Sequence, residues 1–278
     1  MNNNLISVII PTRNSEGTLE ECLKAVKNQT YKDIEIIVVD RDSTDRTKKI
    51  AKQYTEKVFN KGPERCTQRN YAVEKSDGYY IFIIDSDMKL SPKVVECCLE
   101  SIRCNPKNIG VIVPEESYGE GFWSQCKKLE RSFYIGIPFM EAARFFKKDA
   151  FIKVGGYDEE MVSGEDWDLS QRIEKIGKIS RINELIYHNE GKITLFKTLK
   201  KKYYYAIKFS KYLKKTDAAE KVRSQTSILA RYKLFFRHPK KLFRNPLLGV
   251  GMIFMKSAEF GFGGLGLLIS KFNFYEKK

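Results

Sequence analysis

The sequence lacks the patterns that mark several common binding sites. Its six cysteines include no C-x-x-C pair, so they do not form the pattern of a structural zinc site. We interpret them as reduced thiols of a cytosolic protein. The first twelve residues contain neither a basic region nor an apolar stretch of signal-peptide length, which argues against export. No internal repeat is visible.

Two glycine-rich nucleotide-binding patterns are also missing. The turn after the first apolar run reads PTRNSEG (residues 11–17) where G-x-G-x-x-G would be needed, and no G-x-x-x-x-G-K-[ST] occurs. Dinucleotide oxidoreductases and P-loop enzymes are therefore poor fits. With 278 residues, 42% of them hydrophobic, the chain can bury a core for one large domain, or for one domain with an appendage.

The first two thirds of the chain alternate between short apolar runs and helical patterns. Strands are predicted at 6–11, 34–40, 57–60, 79–85, 109–114, 142–146 and 179–188. Helices are predicted at 16–30, 43–55, 66–75, 92–103 and 122–134, and within SGEDWDLSQRIEKIGK (163–178). Such alternation predicts an α/β fold with a mostly parallel sheet flanked by helices.

Acidic residues cluster at the ends of these elements. The clusters are Asp40 with Asp42 and Asp45, Asp85 with Asp87, and Glu165 with Asp166. Open α/β sheets bind ligands beyond the carboxyl ends of their strands, where the first two clusters fall. Two carboxylates two residues apart can approach one hard cation, so we expect Mg²⁺ or Mn²⁺ bound to a diphosphate. Such an ion would neutralise a departing nucleoside diphosphate.

Four segments in order resemble the family 2 nucleotide-sugar glycosyltransferases. They are VIIPTRN, IIVVDRDSTDRT, RNYAVEKSDGYYIFIIDSDM and VGGYDEEMVSGEDWDLSQRI. Each is weak alone, but the ordered set with family-like spacing is strong, and it covers about residues 5 to 190. The resemblance implies the Rossmann-like GT-A fold and an enzyme, a hexosyltransferase, that transfers sugar with inversion.

The resemblance also implies residue roles in nucleotide binding. The end of the first strand would contact the base and ribose, Asp40 would accept a hydrogen bond from a uracil-type base, and Arg69 would face phosphate. The implied nucleotide-binding residues are Pro11, Thr12, Arg13, Asn14, Asp40, Asp42, Arg69, Asn70, Asp85 and Ser86. Arg41 and Asp42 replace the family's usual second acid and glycine, which leaves the base preference open.

Further roles concern the metal and the reaction. Asp85 and Asp87 match the diphosphate-metal motif, with Asp87 as the direct ligand, and His188 lies where some relatives place another metal or phosphate contact. Asp166, with Glu165 beside it, matches the general base that deprotonates the acceptor hydroxyl. The Q-x-x-R-W motif of processive synthases is missing, so the resemblance implies transfer of a single sugar.

Each of these residues has a structural alternative. Asp85 and Asp87 could be turn residues at a strand end, and Asp40 could cap a helix that begins near Ser43. The acids at 165 and 166 could be first-turn residues favoured by the helix dipole. Arg69 could be an ordinary ion-pair arginine, and a lone strand histidine such as His188 is more often structural.

The net charge of +15 is concentrated near the C-terminus. Residues 196–244 contain 16 lysines and arginines against two acids, whereas residues 1–195 contain 30 against 31. We therefore predict a GT-A catalytic domain at 1–195 and a membrane-association region at 196–278. Its first part, LFKTLKKKYYYAIKFSKYLKK, has the pattern of a cationic amphipathic helix. The alternative is a packed helical cap with solvated lysines.

The last apolar stretch, residues 246–270, is interrupted by Lys256, Ser257 and Glu259. Each resulting part has about ten residues, fewer than the roughly 20 that cross a bilayer. We therefore expect peripheral or monotopic anchoring at the cytosolic face of the membrane, without a span. The six glycines in this stretch also weaken the prediction of helix.

Together these observations predict an inverting, non-processive transfer of one sugar from a nucleoside-diphosphate sugar, with UDP favoured. The acceptor would be a membrane-associated glycan or a polyprenyl-phosphate-linked one, and the anionic membrane surface a further partner. Alternatives are a nucleotidyltransferase acting on a sugar phosphate, an inactive transferase, and a basic nucleic-acid-binding protein. The last would explain the lysines through phosphate contacts but not three acid clusters, which argues against nucleic acid as a partner.

Overall fold

A computed structural model describes the backbone of residues 4–215 and 225–275, and the side chains of residues 4–208 and 225–269. The strands are β1 (Ile6–Thr12), β2 (Ile34–Asp40), β3 (Val58–Asn60), β4 (Tyr80–Ile83), β5 (Met88–Leu90), β6 (Asn108–Ile112), β7 (Glu115–Glu120), β8 (Ala143–Lys147), β9 (Lys178–Arg181) and β10 (Ile186–Lys192). The helices are α1 (Leu19–Lys27), α2 (Thr47–Ala51), α3 (Arg65–Glu74), α4 (Val94–Arg103), α5 (Phe122–Ser132), α6 (Lys148–Lys153), α7 (Glu165–Glu174), α8 (Leu195–Lys215), α9 (Ile228–Phe236), α10 (Pro239–Leu242) and α11 (Pro246–Tyr275).

The chain divides into two compact units. The first contains the residues up to Glu115 together with Ala142–Glu160 and Glu165–Asn189, and the second contains Glu116–Glu141, Met161–Gly164 and the residues from Glu190 onward. The second unit thus includes residues 116–141 and 161–164, which lie within the predicted catalytic domain 1–195. The assignment of catalysis to the first part and membrane association to the last part stays a prediction.

The first unit is built on a seven-stranded sheet of order β3–β2–β1–β4–β8–β6–β9. Strands β2 and β4 pair parallel with β1, β3 pairs parallel with β2, and β9 pairs parallel with β6. Only β8 among these strands runs antiparallel to its neighbours, β4 and β6. The predicted α/β fold with a mostly parallel, helix-flanked sheet is therefore confirmed.

Both faces of this sheet are covered, which explains the nearly unbroken apolar runs of its central strands. Val8, Val38 and Phe82 share one core with apolar residues of α1 and α4. The alternate positions of the same strands share a second core with α3 and α7, in which Leu169 and Ile173 are buried. Alternation along each strand thus divides its side chains between two helical layers.

Two predicted elements show where the structure differs from the sequence prediction. The single strand predicted at 179–188 is two strands, β9 in the large sheet and β10, which pairs antiparallel with β5. Residues 182–185 separate them, because Asn183 and Glu184 interrupt the apolar pattern. The helix predicted within residues 163–178 ends earlier than its apolar pattern, so that Ile176 lies beyond the end of α7 and is 40% exposed.

The second unit is mainly helical. Cys126 and Phe133 of the α5 segment form a buried core with Phe235, Leu242 and apolar residues of α11. The expectation that polar residues split the C-terminal apolar stretch into two short parts is wrong, since α11 runs without a break from Pro246 to Tyr275. Residues Pro246–Ile269 form one helix that is long and apolar enough, by length and composition, to cross a membrane.

Candidate active site

The carboxyl ends of β1 and β2 carry the first group of predicted residues. Asp40 is fully buried and accepts hydrogen bonds from Thr12 Oγ1 at 3.0 Å, and from the backbone N and Oγ of Ser43 at 2.8 and 2.5 Å. Since α2 begins only at Thr47, this carboxylate holds the turn after β2, and the alternative that Asp40 caps a helix beginning near Ser43 is not what the structure shows. That Asp40 accepts a hydrogen bond from a base stays a prediction.

The loops after β1 and β2 hold each other through polar contacts. Asn14 and Asp42 both have φ of 48°, in the left-handed region that asparagine and aspartate tolerate better than most residues. Asn14 Oδ1 accepts from the Thr44 backbone N at 2.9 Å, and Asp42 exchanges hydrogen bonds with the amide of Asn60. Asp42 therefore adopts a left-handed backbone conformation that glycine, the family's usual residue at this position, adopts without strain.

A hydrogen bond joins this loop pair to the end of β4. Ser86 Oγ lies 2.9 Å from Ser15 Oγ, and the Ser15 backbone N donates to Thr47 Oγ1 at 2.7 Å. Pro11 and Thr12 end β1, and Arg13 is exposed in the loop that follows. The predicted nucleotide-binding residues of β1, β2 and β4 thus lie at strand ends and on loops that contact one another.

Arg69 connects two of the acidic clusters. It lies on α3 with a fully buried side chain, donating from Nη2 to Asp85 Oδ1 at 2.8 Å and from Nη1 to Asp166 Oδ1 at 3.1 Å. The ring of Tyr157 lies 5.0 Å from its guanidinium carbon. A buried arginine bound to two carboxylates is an ion-pair arginine that also fixes the geometry between β4 and α7.

Asp166 has one oxygen held and the other open. Tyr157 donates its hydroxyl to the same Oδ1 at 2.9 Å, so both hydrogen bonds from Arg69 and Tyr157 fall on one oxygen. The Asp166 carboxylate is 28% exposed, and no protein donor contacts its Oδ2 among the described residues. Burial and the Asp166 charge raise the pKa of the Tyr157 phenol well above its usual value, so that it remains a donor.

Glu165 is buried, whereas Asp166 is partly accessible. Its side chain is 6% exposed and pairs with Arg65 Nη2 at 3.1 Å and, more loosely, with Arg69 Nη1 at 3.7 Å. Burial and the neighbouring Asp166 charge raise the pKa of Glu165. Of the two predicted catalytic acids, only Asp166 combines an open oxygen with access to an incoming hydroxyl.

Asp85 faces arginines on two sides. Besides Arg69, Arg144 of β8 places Nη2 3.8 Å from Asp85 Oδ2. Burial alone would raise the pKa of Asp85, but the two guanidinium groups lower it far below the usual range. Asp85 is therefore ionised and ion-paired, and its role as a direct metal ligand stays a prediction.

Asp87 lies beside a histidine and a glutamate. His188 Nε2 is 3.3 Å from Asp87 Oδ2, and His188 Nδ1 is 3.6 Å from Glu115 Oε2. Arg144 Nε donates to Glu115 Oε1 at 2.6 Å. Asp87 Oδ1 is buried and has no hydrogen-bond partner among the described residues.

These residues fit a divalent ion. A carboxylate oxygen that is buried without a donor is costly unless something positive lies next to it. Ligands bound at about 2.1 Å at right angles stand about 3 Å apart, close to the Asp87–His188 separation. The described residues contain no preformed group of three His, Cys, Asp or Glu side chains with metal-binding geometry. Two protein ligands suit Mg²⁺ or Mn²⁺, which commonly keep waters and substrate oxygens.

The sequence prediction missed three residues of this network, and it gave Asn70 a different role. Tyr157, Arg144 and Glu115 were not assigned, although an arginine within an apolar strand pattern already signals a need for buried acidic partners. Asn70 exchanges hydrogen bonds with the Tyr157 backbone at 2.8 and 2.9 Å. Its amide thus positions the segment that carries the Tyr157 phenol, and its contact with a nucleotide stays a prediction.

The mostly parallel sheet with helices on both faces defines an α/β protein of the GT-A fold class, and comparison with solved structures agrees on the fold. A mannosyltransferase from Pyrobaculum calidifontis, solved in complex with GDP-Man and Mn²⁺, superposes with a TM-score of 0.64 at 13% identity, covering 95% of this chain and 86% of that one. TarS 1–349 of S. aureus, in complex with UDP-GlcNAc, gives a TM-score of 0.51 at 18% identity over 96% and 89% of the two chains.

Sequence comparison supplies the family. The model of glycosyl transferase family 2 matches residues 7–157, more than half of the chain, and the chain belongs to this family. It is 25% identical over 202 residues, 66% of its length, to the chondroitin synthase of Pasteurella multocida, of which it spans only 20%. It is 24% identical over 196 residues to the Campylobacter jejuni GalNAc(5)-diNAcBac-PP-undecaprenol beta-1,3-glucosyltransferase, covering 67% of this chain and 57% of that protein.

Proposed function

We propose that the protein is an inverting, non-processive glycosyltransferase that moves one sugar from a UDP-sugar to a hydroxyl of a lipid-linked or membrane-associated glycan. The observation that carries this proposal is the Arg69 bridge. Arg69 donates to both Asp166 and Asp85, the acid that follows β4, and so fixes the position of one carboxylate relative to the other. Asp166 keeps one oxygen open. One residue thereby couples the candidate base to the strand end where a leaving diphosphate would lie.

The chemistry follows from this arrangement. Asp166 Oδ2 takes the proton of the acceptor hydroxyl while the hydroxyl oxygen attacks the anomeric carbon, and the bond from that carbon to the diphosphate oxygen breaks. Attack opposite the leaving group inverts the anomeric configuration. Arg69 and Tyr157 hold Oδ1, so the carboxylate cannot rotate away from the acceptor.

A divalent ion completes the proposal. Asp87 and His188 would hold Mg²⁺ or Mn²⁺, with Glu115 orienting His188 and Arg144 orienting Glu115. When bound, the ion would supply positive charge to the departing diphosphate. Asp85 is already paired with arginines near this site. Asp87 is therefore the carboxylate with an oxygen available to coordinate the ion.

The membrane part of the proposal rests on the C-terminal region. The Campylobacter relative is named for a polyprenyl-diphosphate-linked acceptor, and this chain concentrates its positive charge in residues 196–244. We propose that the region places the enzyme at the cytosolic face of the membrane, where each lysine or arginine near anionic lipid adds about 1 kcal/mol.

A donor panel tests the reaction. UDP- and GDP-sugars are incubated with Mn²⁺ or Mg²⁺ and a membrane extract, with release of nucleotide and glycosylation of lipid as readouts. We expect release of UDP coupled to one added sugar, and NMR of the product should show an anomeric configuration opposite to that of the donor. Retained configuration would contradict the base role of Asp166, and absence of turnover with every donor would contradict the function.

A further inference from the structure

Helix α11 buries charge on one face and exposes apolar side chains on the other. Lys256 and Glu259 are 2% and 1% exposed, whereas Leu247 is 70% and Phe254 57% exposed. The exposed apolar face comprises Leu247, Val250, Phe254, Phe262, Leu265, Leu268 and Ile269. These positions recur at helical spacing and so lie along one side of the helix.

The buried face is fixed by a ring of four charges, which we call the ion-pair quartet: Lys127, Glu130, Lys256 and Glu259. Lys256 Nζ lies 2.6 Å from Glu130 and 2.9 Å from Glu259, and Lys127 Nζ lies 2.8 Å and 2.9 Å from the same two carboxylates. Each ammonium contacts both carboxylates. This closed arrangement holds α11 on α5 in one rotational setting, because any other setting would leave buried charges unpaired.

Helix α8 also lies against α11. A Cβ at Gly266 would stand 2.7 Å from the Tyr203 carbonyl oxygen and 3.1 Å from the Ala206 Cβ, so the two backbones approach closely there. Helix α8 exposes Lys197, Lys200, Lys201 and Lys208. A charged residue at the bilayer centre is energetically costly. If α11 crossed a bilayer, α5 and the lysines of α8 would have to enter it as well.

The length of α11 alone does not decide whether the helix crosses the bilayer or lies in its surface. From Leu247 to Ile269 the apolar face extends about 33 Å at 1.5 Å per residue, close to the thickness of a bilayer core of about 30 Å. The charged neighbours decide the orientation, because among the described side chains only one side of α11 is free of them. The segment before α11 exposes Phe236 and Phe243 together with Arg237, Lys240 and Arg244. Apolar and basic groups side by side match an anionic lipid surface.

We infer that α11 lies in the plane of an anionic membrane surface, with its Leu247–Ile269 face in the boundary between headgroups and acyl chains, and does not cross the bilayer. The quartet keeps the opposite face on α5, and the basic residues before the helix contact the headgroups. The inference rests on the membrane part of the proposed function and adds the surface and its orientation.

Depth measurements distinguish the two orientations. Leu247, Phe254 and Leu268 are each replaced by tryptophan in the full chain, and quenching is measured in phosphatidylglycerol-containing vesicles with lipids brominated near the headgroup or deep in the acyl chain. The unsubstituted chain corrects for Trp123 and Trp167. We expect the same shallow depth at all three sites. Deep quenching at 254 with shallow quenching at 247 and 268 would show a span, and absence of quenching would show no docking; either result overturns the inference.

A matched pair of charge substitutions tests the surface. Phe254→Glu places a charge on the exposed apolar face, and we expect vesicle affinity to fall at least tenfold, because a buried aromatic side chain is lost from the lipid boundary. Ile152→Glu makes the same kind of change at a 59% exposed site of α6 and should leave affinity unchanged. Equal vesicle affinity of the two variants would contradict membrane docking through the apolar face of α11. Binding of UDP, measured without vesicles, reports separately on the transferase proposal.

Discussion

The active-site cluster and the ion-pair quartet both bury charged side chains, but they differ in how completely those charges are satisfied. In the quartet, Glu130 and Glu259 each contact two ammonium groups. Burial would raise the pKa of Glu130, but Lys127 and Lys256 lower it well below its usual value. In the candidate site, Asp166 Oδ2 and Asp87 Oδ1 have no protein donor among the described residues.

The difference indicates what each cluster is for. Completed ion pairs fix helices against each other and leave nothing for a ligand to bind. Incomplete ones leave positions for groups that arrive from outside, which in the proposed function are an acceptor proton and a cation. Residues that complete a network should therefore affect stability when replaced, and residues with an open oxygen should affect binding or turnover.

The largest expected effect is that of Asp166→Asn. The amide cannot take the acceptor proton, so we expect turnover to fall about 10³-fold, roughly 4 kcal/mol, as general bases commonly contribute. The oxygen held by Arg69 and Tyr157 can be retained by the amide, so donor affinity should change by less than about threefold. Nucleotide release and isothermal titration with the donor measure the two quantities. Near-normal turnover would show that Asp166 is not the base.

Breaking the quartet should act on stability. Lys256→Met leaves Glu130 and Glu259 sharing one ammonium, and loss of one partner of a buried ion pair costs about 3 kcal/mol or more. Denaturant unfolding monitored by circular dichroism measures the change in the free energy of unfolding. The double variant Lys256→Met with Glu259→Leu removes a cation and an anion together and should be less destabilised than the single variant. Additive losses would show that the four charges do not act as a unit.

The two clusters were also unequally predictable from the sequence. Asp85 and Asp87 were placed at a strand end because an apolar run of β4 stops just before them, and Asp166 because an acidic pair opens a helix. Both are signals within a few residues of the chain. Their contacts were not predictable, since Arg69 reaches Asp166 across 97 residues of sequence.

In the second unit the local signal was misleading. Lys256 and Glu259 looked like interruptions of an apolar stretch, and a break was expected there. Their partners Lys127 and Glu130 lie more than a hundred residues earlier, so nothing local shows that the charges point inward. A charged residue in an apolar run therefore indicates either a break or a buried partner, and only the fold distinguishes them.

A smaller effect is expected at the proposed metal ligand Asp87. Asp87→Asn should weaken binding of Mn²⁺ about 10- to 100-fold, because the amide carries no charge to offset the ion. Electron paramagnetic resonance of free Mn²⁺ measures this without any turnover. Asp77→Asn is a matched control, since Asp77 precedes β4 at the opposite end of the strand and has a 74% exposed side chain. Equal Mn²⁺ affinity of the two variants would remove Asp87 from the metal site.

The smallest effect tests Tyr157 as a positioning residue for Asp166. Tyr157→Phe keeps the ring beside Arg69 but removes the hydroxyl that donates to Oδ1, so Asp166 is held by Arg69 alone. We expect kcat to fall about tenfold with the KM for the donor unchanged, since one hydrogen bond to a charged group contributes about 1.5 kcal/mol. Tyr79→Phe removes a hydroxyl from a 39% exposed tyrosine and should change neither constant. Were Tyr157 only structural, its loss would lower the melting temperature and leave kcat per folded enzyme as it was, because Arg69 would then suffice to hold the base.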